Sequence, residues 1–117
     1  MGHVWVEALI ENLITGKSVR VRALVDIGTT FTIVPRRVFK ELQLPIVGRK
    51  TVKTAKGSVE LSECLDVIEV MGRRAGSQIL VSDDVDLTLI GVLTLEALGL
   101  KVDPTTERLK ETEILLL

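Results

Sequence analysis

Residues 23–35 read ALVDIGTTFTIVP: β-forming side chains run straight into a carboxylate, Asp26, turn through Ile27-Gly28-Thr29-Thr30, and resume as a strand ending at Pro35. Aliphatic strand residues lead into a core, where an unpaired charge is costly. A carboxylate at the end of such a strand is either a turn residue bonded to nearby backbone N–H groups or a group with chemical work to do.

Composition narrows the choice. The chain has 117 residues, enough for one core but not two, so 1–117 is read as a single domain. Lys plus Arg number 15 against 16 for Asp plus Glu, a balance that gives nucleic acid or an anionic membrane no electrostatic handle. No apolar run reaches the roughly 18 to 20 residues of a membrane span, and Met1-Gly2-His3 does not open a signal peptide. The expected location is cytoplasmic. A single cysteine, Cys64, and a single histidine, His3, leave no internal disulfide and no multi-cysteine zinc site, so no metal and no cofactor are expected. One Asn and two Gln among many charged and aliphatic residues lean toward a heat-adapted source.

Outward from Asp26, period-two patterning dominates. Val4, Val6 and Ala8 share a face opposite His3, Trp5 and Glu7; after a turn at Thr15-Gly16-Lys17, Val19, Val21 and Ala23 alternate with Arg20 and Arg22. This predicts a β-hairpin whose second strand delivers Leu24-Val25 to Asp26. Pro35 suits the first turn of a short helix carrying Val38, Phe39 and Leu42, which Pro45 ends. Thr51–Thr54 and Ser58–Leu61 flank Ala55-Lys56-Gly57, a hairpin with a polar tip at which Gly57 relieves a positive φ. Strands are expected over 64–70 and 78–81, joined by a loop at 72–76. A short helix with Leu93, Leu95, Ala97 and Leu98 stops at Gly99. Asp103-Pro104-Thr105-Thr106 forms a turn, and the chain closes on EILLL. With no linker or repeat, the expected fold class is mainly β with two short helices.

The stretch around Asp26 resembles the active-site signature of the retropepsin-like aspartic proteases: two apolar residues, Asp, Thr or Ser, Gly, then a small residue. LTLIGVLTLEALGLKVDP resembles the family's later element, an apolar pair and a glycine, here Leu89-Ile90-Gly91, followed by a helix. The resemblance covers residues 18–105 and includes a Gly-tipped hairpin, Ala55-Lys56-Gly57, where the family has its flap. It implies a closed acid-protease β-barrel that forms a homodimer, with Asp26 as the catalytic residue of each copy. Ile27, Gly28, Thr29 and Thr30 would complete the loop, Leu89-Ile90 would pack beneath it, and the substrate would be an extended peptide or unfolded protein. Hydrolysis by this route needs two carboxyls, and one lobe supplies one. The apolar tail independently favours association, because EILLL is poorly left in water. Residues 112–117, and Ile114 to Leu117 above all, are the candidate strand between subunits.

The pattern is broken at one place beside Asp26. Position 27 is Ile where the family has a hydroxyl that bonds across the dimer, and an unpaired buried partner would cost roughly 1 to 3 kcal/mol. Either apolar contact between two Ile27 side chains holds the dimer with Asp26 competent, or the loop is slack, or the protein is a dimeric peptide-binding module with poor or no activity. Viral members pair an acid after the loop with an arginine after the second glycine; Thr30 and Val92 stand there, so both partners are absent together. Asp83, Asp84 and Asp86 lack the offsets of a calcium loop and read as loop-capping acids. Thr29 and Thr30 have no assigned base and read as hydrogen-bonding residues. Cys64 reads as a small core residue, and Trp5 as core or dimer surface.

Overall fold

The computed structural model describes residues 3–116. The alternating segments form β1 (Val4–Glu11) and β2 (Ser18–Val25), an antiparallel hairpin pairing Val4 with Val25 and Glu11 with Ser18. Ala8, Ile10, Ala23 and Val25 are buried while Glu7, Arg20 and Arg22 face out, as the alternation requires. Trp5 is on the outer face, with the Arg22 guanidinium 4.3 Å over its ring. The hairpin turn is tied down by Asn12, the chain's one asparagine. Its Oδ1 accepts the Ile14 and Thr15 N–H groups, and its Nδ2 donates to the carbonyls of Leu42 and Gln43.

The remaining elements are β3 (Thr32–Pro35), α1 (Arg36–Leu42), β4 (Ile46–Thr54), β5 (Gly57–Val70), β6 (Arg73–Ser82), β7 (Thr88–Ile90), α2 (Val92–Leu98), β8 (Leu100–Asp103) and β9 (Arg108–Glu111). The main sheet runs β1-β2-β7-β3-β6-β5-β4, and β1 also pairs with β5 through Ala8–Val70 and Ile10–Ile68. That second pairing closes six strands into a barrel and leaves β4 outside as one arm of the β4–β5 hairpin. Closure removes the free edges of an open sheet. Val34, Val38, Leu42, Ile68, Ile79 and Ile90 fill the interior. Among the described residues, no helix is long and apolar enough to cross a membrane.

Several boundaries differ from the sequence expectation. Residues 73–76 are strand, not loop: β5 and β6 turn through Met71 and Gly72 alone, at φ 54° and 77°, the doubly positive geometry that matches strand twist. Low β propensity at Arg73-Arg74-Ala75-Gly76 is overridden by cross-strand partners. Arg74 pairs with Glu11 and Glu69, and Arg73 donates to the Leu98 and Gly99 carbonyls. Pro35 closes β3 at ψ 156° and caps α1 rather than lying inside it. The helix stops at Gln43, whose left-handed φ of 52° lets its N–H return to the Lys40 carbonyl, two residues before Pro45. In α2 the buried face is Thr94, Leu95 and Leu98, whereas Leu93 and Ala97 are exposed. Asp103–Thr106 turns as expected, but within an unforeseen hairpin, β8–β9, that buries Leu100 and Leu109.

Candidate active site

The parallel pairing of β2 with β7 sets Val25 beside Ile90, and so brings the two sequence motifs together at one end of the barrel. Asp26 leaves β2 with its N–H donating to the Ile90 carbonyl at 2.9 Å. Its carboxyl is bonded on both oxygens by its own loop: the Gly28 N–H donates to Oδ1 and the Thr29 hydroxyl to Oδ2, each at 2.9 Å. The Thr29 N–H closes the turn on the Asp26 carbonyl at 3.1 Å. A β-carbon on Gly28 would lie 3.3 Å from Oδ1, crowding the carboxyl.

Gly91 holds this loop from below. A β-carbon there would lie 2.6 Å from the Phe31 carbonyl carbon and oxygen and 2.7 Å from the Thr30 oxygen, so the loop backbone rests where a side chain would be. The first turn of α2 is satisfied by the same loop, with Val92 N–H donating to the Thr29 carbonyl at 2.8 Å and Leu93 N–H to that of Thr30 at 3.1 Å. The Gly91 N–H donates to the Thr32 hydroxyl at 3.1 Å. Thr32 is bonded to Thr94 at 2.6 Å, and Thr94 to Ser77 at 2.8 Å. This buried hydroxyl chain was not anticipated. Its signal was Thr94 falling on the otherwise aliphatic buried face of α2.

The two residues beside Gly91 divide by strand alternation. Ile90 is fully buried beneath the loop, while Leu89, opposite Leu24 and Ile33, is half-buried on the other face. Ile27 stands at the loop tip with 67% of its surface exposed, and Thr30 is exposed beside it. Around Asp26 a groove of ≈ 470 Å³ is bounded by Val4, Leu24, Ile27, Val102 and Pro104, so the β8–β9 hairpin supplies one wall. Ala55, Lys56 and Gly57 form the exposed tip of the β4–β5 hairpin and do not line this groove. Gly57 has φ 116°, and Thr54 ties the tip by donating to the Gly57 carbonyl. Nearer the barrel, the Lys50 ammonium of β4 lies 5.7 Å from the Phe31 ring centre.

Other singled-out residues lie apart from Asp26. Asp83 and Asp86 pair with Arg36 and Arg37 of α1, and the Arg36 bond holds the Asp83 carboxyl below its ordinary range. Cys64 is wholly buried; burial first, then the charges of Asp66 and Glu63, push its thiol up to about 11. Residues 112–116 carry no strand, with Ile114, Leu115 and Leu116 at 69%, 77% and 98% exposure. Leu117, the last residue of the expected inter-subunit strand, lies outside the described residues.

A six-stranded barrel with a projecting hairpin, an Asp-x-Gly loop over an apolar-apolar-Gly turn and a following helix is the retropepsin-like fold, and the chain has that fold. Among solved structures it is similar to the EIAV protease complexed with the inhibitor HBY-793, at TM-score 0.70 and 20% identity over 87% of this chain and 93% of that one. It is also similar to the simian foamy virus (mac) protease in solution, at TM-score 0.57 and 24% identity over 78% of this chain and 90% of that one. No protein-family model matches the sequence. No curated protein matches it either.

Proposed function

We propose that the chain is an aspartic endopeptidase that works as a homodimer, with Asp26 of two copies meeting at a two-fold axis. The carrying observation is the Asp26 carboxyl, bonded on both oxygens by its own loop at the mouth of an apolar groove in a retropepsin-like barrel. Two such carboxyls about 3 Å apart cannot both ionise and share a proton. The ionised one takes a proton from the water between them as its oxygen attacks the peptide carbonyl carbon. The neutral one gives its proton to the carbonyl oxygen; the gem-diol then collapses as its C–N bond breaks and the proton taken from water passes to the leaving amine nitrogen, so no covalent enzyme intermediate forms and no cofactor is used. The arm over residues 51–61 would close on an extended peptide, bound by strand-like main-chain bonds.

The exposed Ile27 favours one second reading, a dimeric peptide-binding module with little or no activity. It cannot make the cross-dimer hydroxyl bond of the proteases this loop resembles. Incubation with a denatured protein mixture from acidic to neutral pH, beside Asp26→Asn and Ile27→Thr, separates the two. Cleavage lost in Asp26→Asn supports the peptidase. No cleavage by the parent, with cleavage gained in Ile27→Thr, supports the binding module. Equal cleavage by parent and Asp26→Asn assigns the activity to a contaminant and sinks the peptidase reading.

A further inference from the structure

Asp66 is 1% exposed, and among the described residues both its carboxyl oxygens lack a hydrogen-bond partner. It stands on β5 on the same inward face as Cys64, Ile68 and Val70. Burial raises its carboxyl to about 7, against the opposing effect of its own backbone N–H. An orphaned carboxyl inside a native barrel is rare enough to need an explanation.

Directly opposite on β6 is Ser77, the inner end of the hydroxyl chain that reaches the Asp26 loop. A hydroxyl has one proton and two lone pairs, so Thr32 can accept the Gly91 N–H and donate to Thr94; in that direction the Thr94 proton goes to Ser77, and the Ser77 proton needs an acceptor. What it has is the Gln78 carbonyl at 3.4 Å, a long contact to the next residue. Directly opposed β-carbons lie about 4.5–5.5 Å apart, so side-chain rotation brings a carboxyl and a hydroxyl on them to bonding distance.

We infer that Asp66 is the terminal acceptor of the Ser77–Thr94–Thr32 chain and thereby a positioning residue for the Asp26 loop; its catalytic consequence rests on the peptidase reading, the bond itself does not. The titratable groups around it are few. Its own strand contributes the Cys64 thiol, and Glu63, on the opposite face, which is engaged by Lys50 and Gln78. The facing residues of β6 and β1, Ser77, Ile79 and Ile10, carry no charge, nor do Thr94, Leu95 and Leu98 on the buried face of α2.

A carboxyl-carbon NMR titration of Asp66 in the parent and in Ser77→Ala tests the bond. A donating hydroxyl favours the ionised form, so its removal should raise the Asp66 midpoint by about half a pH unit or more. In the parent the Gly91 amide resonance should move with the Asp66 titration, and in Ser77→Ala it should not. Equal midpoints in the two proteins, or a Gly91 amide that responds just as strongly without the Ser77 hydroxyl, overturn the inference. Should Ser77→Ala not fold, Thr94→Val breaks the same chain one link further out and must uncouple Gly91 from Asp66; continued coupling overturns it. In a cleavage assay the parent's kcat should inflect at the Asp66 midpoint and that of Asp66→Asn should not; identical profiles overturn the catalytic half. Absence of any cleavage counts against the peptidase reading alone, because the resonances still decide the bond.

Discussion

The Asp26 loop and the carboxyl-terminal segment both hold apolar side chains in water, Ile27 in one and Ile114, Leu115 and Leu116 in the other, yet they are supported very differently. The loop is fastened from beneath by Ile90, Gly91 and the start of α2, with buried hydroxyls below those. The segment after β9 is fastened by a Thr112 N–H to the Gly99 carbonyl, after which its side chains are exposed. One apolar tip is thus presented on a finished support, and the other is a flap of chain with no surface of its own to cover. The two call for different roles in a dimer: the loop would meet its counterpart as a preformed object, while the tail would gain order only on meeting it.

If that contrast is right, disturbing the loop's support should be expensive and removing the tail cheap. The largest effect expected is at Asp66. Its folded value, about 7, is above the unfolded carboxylate's 3.8, so between roughly pH 4 and 7 the native state binds the extra proton. Stability contributed by this group is therefore full below pH 4 and falls as pH rises through 7, by about 4 kcal/mol. Denaturant unfolding at pH 4, 6 and 8 should show Asp66→Asn gaining on the parent across that window; a constant difference would remove Asp66 from the account. Next is Gly91→Ala, whose β-carbon meets loop backbone and should cost roughly 3 kcal/mol in unfolding free energy. Thr94→Val takes one buried hydroxyl partner from each of Thr32 and Ser77 and should cost roughly 2 kcal/mol, with Asp26→Asn as the control that spares the support. Smallest is deletion of 112–117. It should change the monomer's stability by less than about 1 kcal/mol while abolishing concentration-dependent association in sedimentation. A tail deletion as destabilising as Gly91→Ala would erase the contrast.

What the sequence disclosed follows the same division. Strand alternation around Val4–Val25 and the turn-forming glycines 57 and 99 were readable because local periodicity and positive φ leave direct marks on residue choice. The pairing of Asp26 with Gly91 was readable as two ordered motifs, although nothing local says that Val25 and Ile90 are neighbours. Residues 73–76 were misread because arginine, alanine and glycine are poor strand formers until Glu11, Glu69 and the α2 carbonyls hold them. The β8–β9 hairpin was missed because each strand is four residues long and buries a single leucine, Leu100 in one and Leu109 in the other. Asp66 did leave a mark: it shares parity with Cys64, Ile68 and Val70, and an acid in step with three core residues is an acid in the core. The Ser77–Thr94–Thr32 chain joins three separate elements, and residues so placed carry no sign of their proximity in linear order.

Helix α2 begins on the carbonyls of Thr29 and Thr30, and that has a consequence for how this end of the protein fails. An ordinary helix frays from its first turn without troubling its surroundings. Here, unwinding at Val92 and Leu93 takes away the floor on which the acid's cradle stands, and lifting the cradle strips the helix of its cap. Solvent therefore meets both together or neither, as one cooperative unit rather than a soft loop resting on a hard barrel.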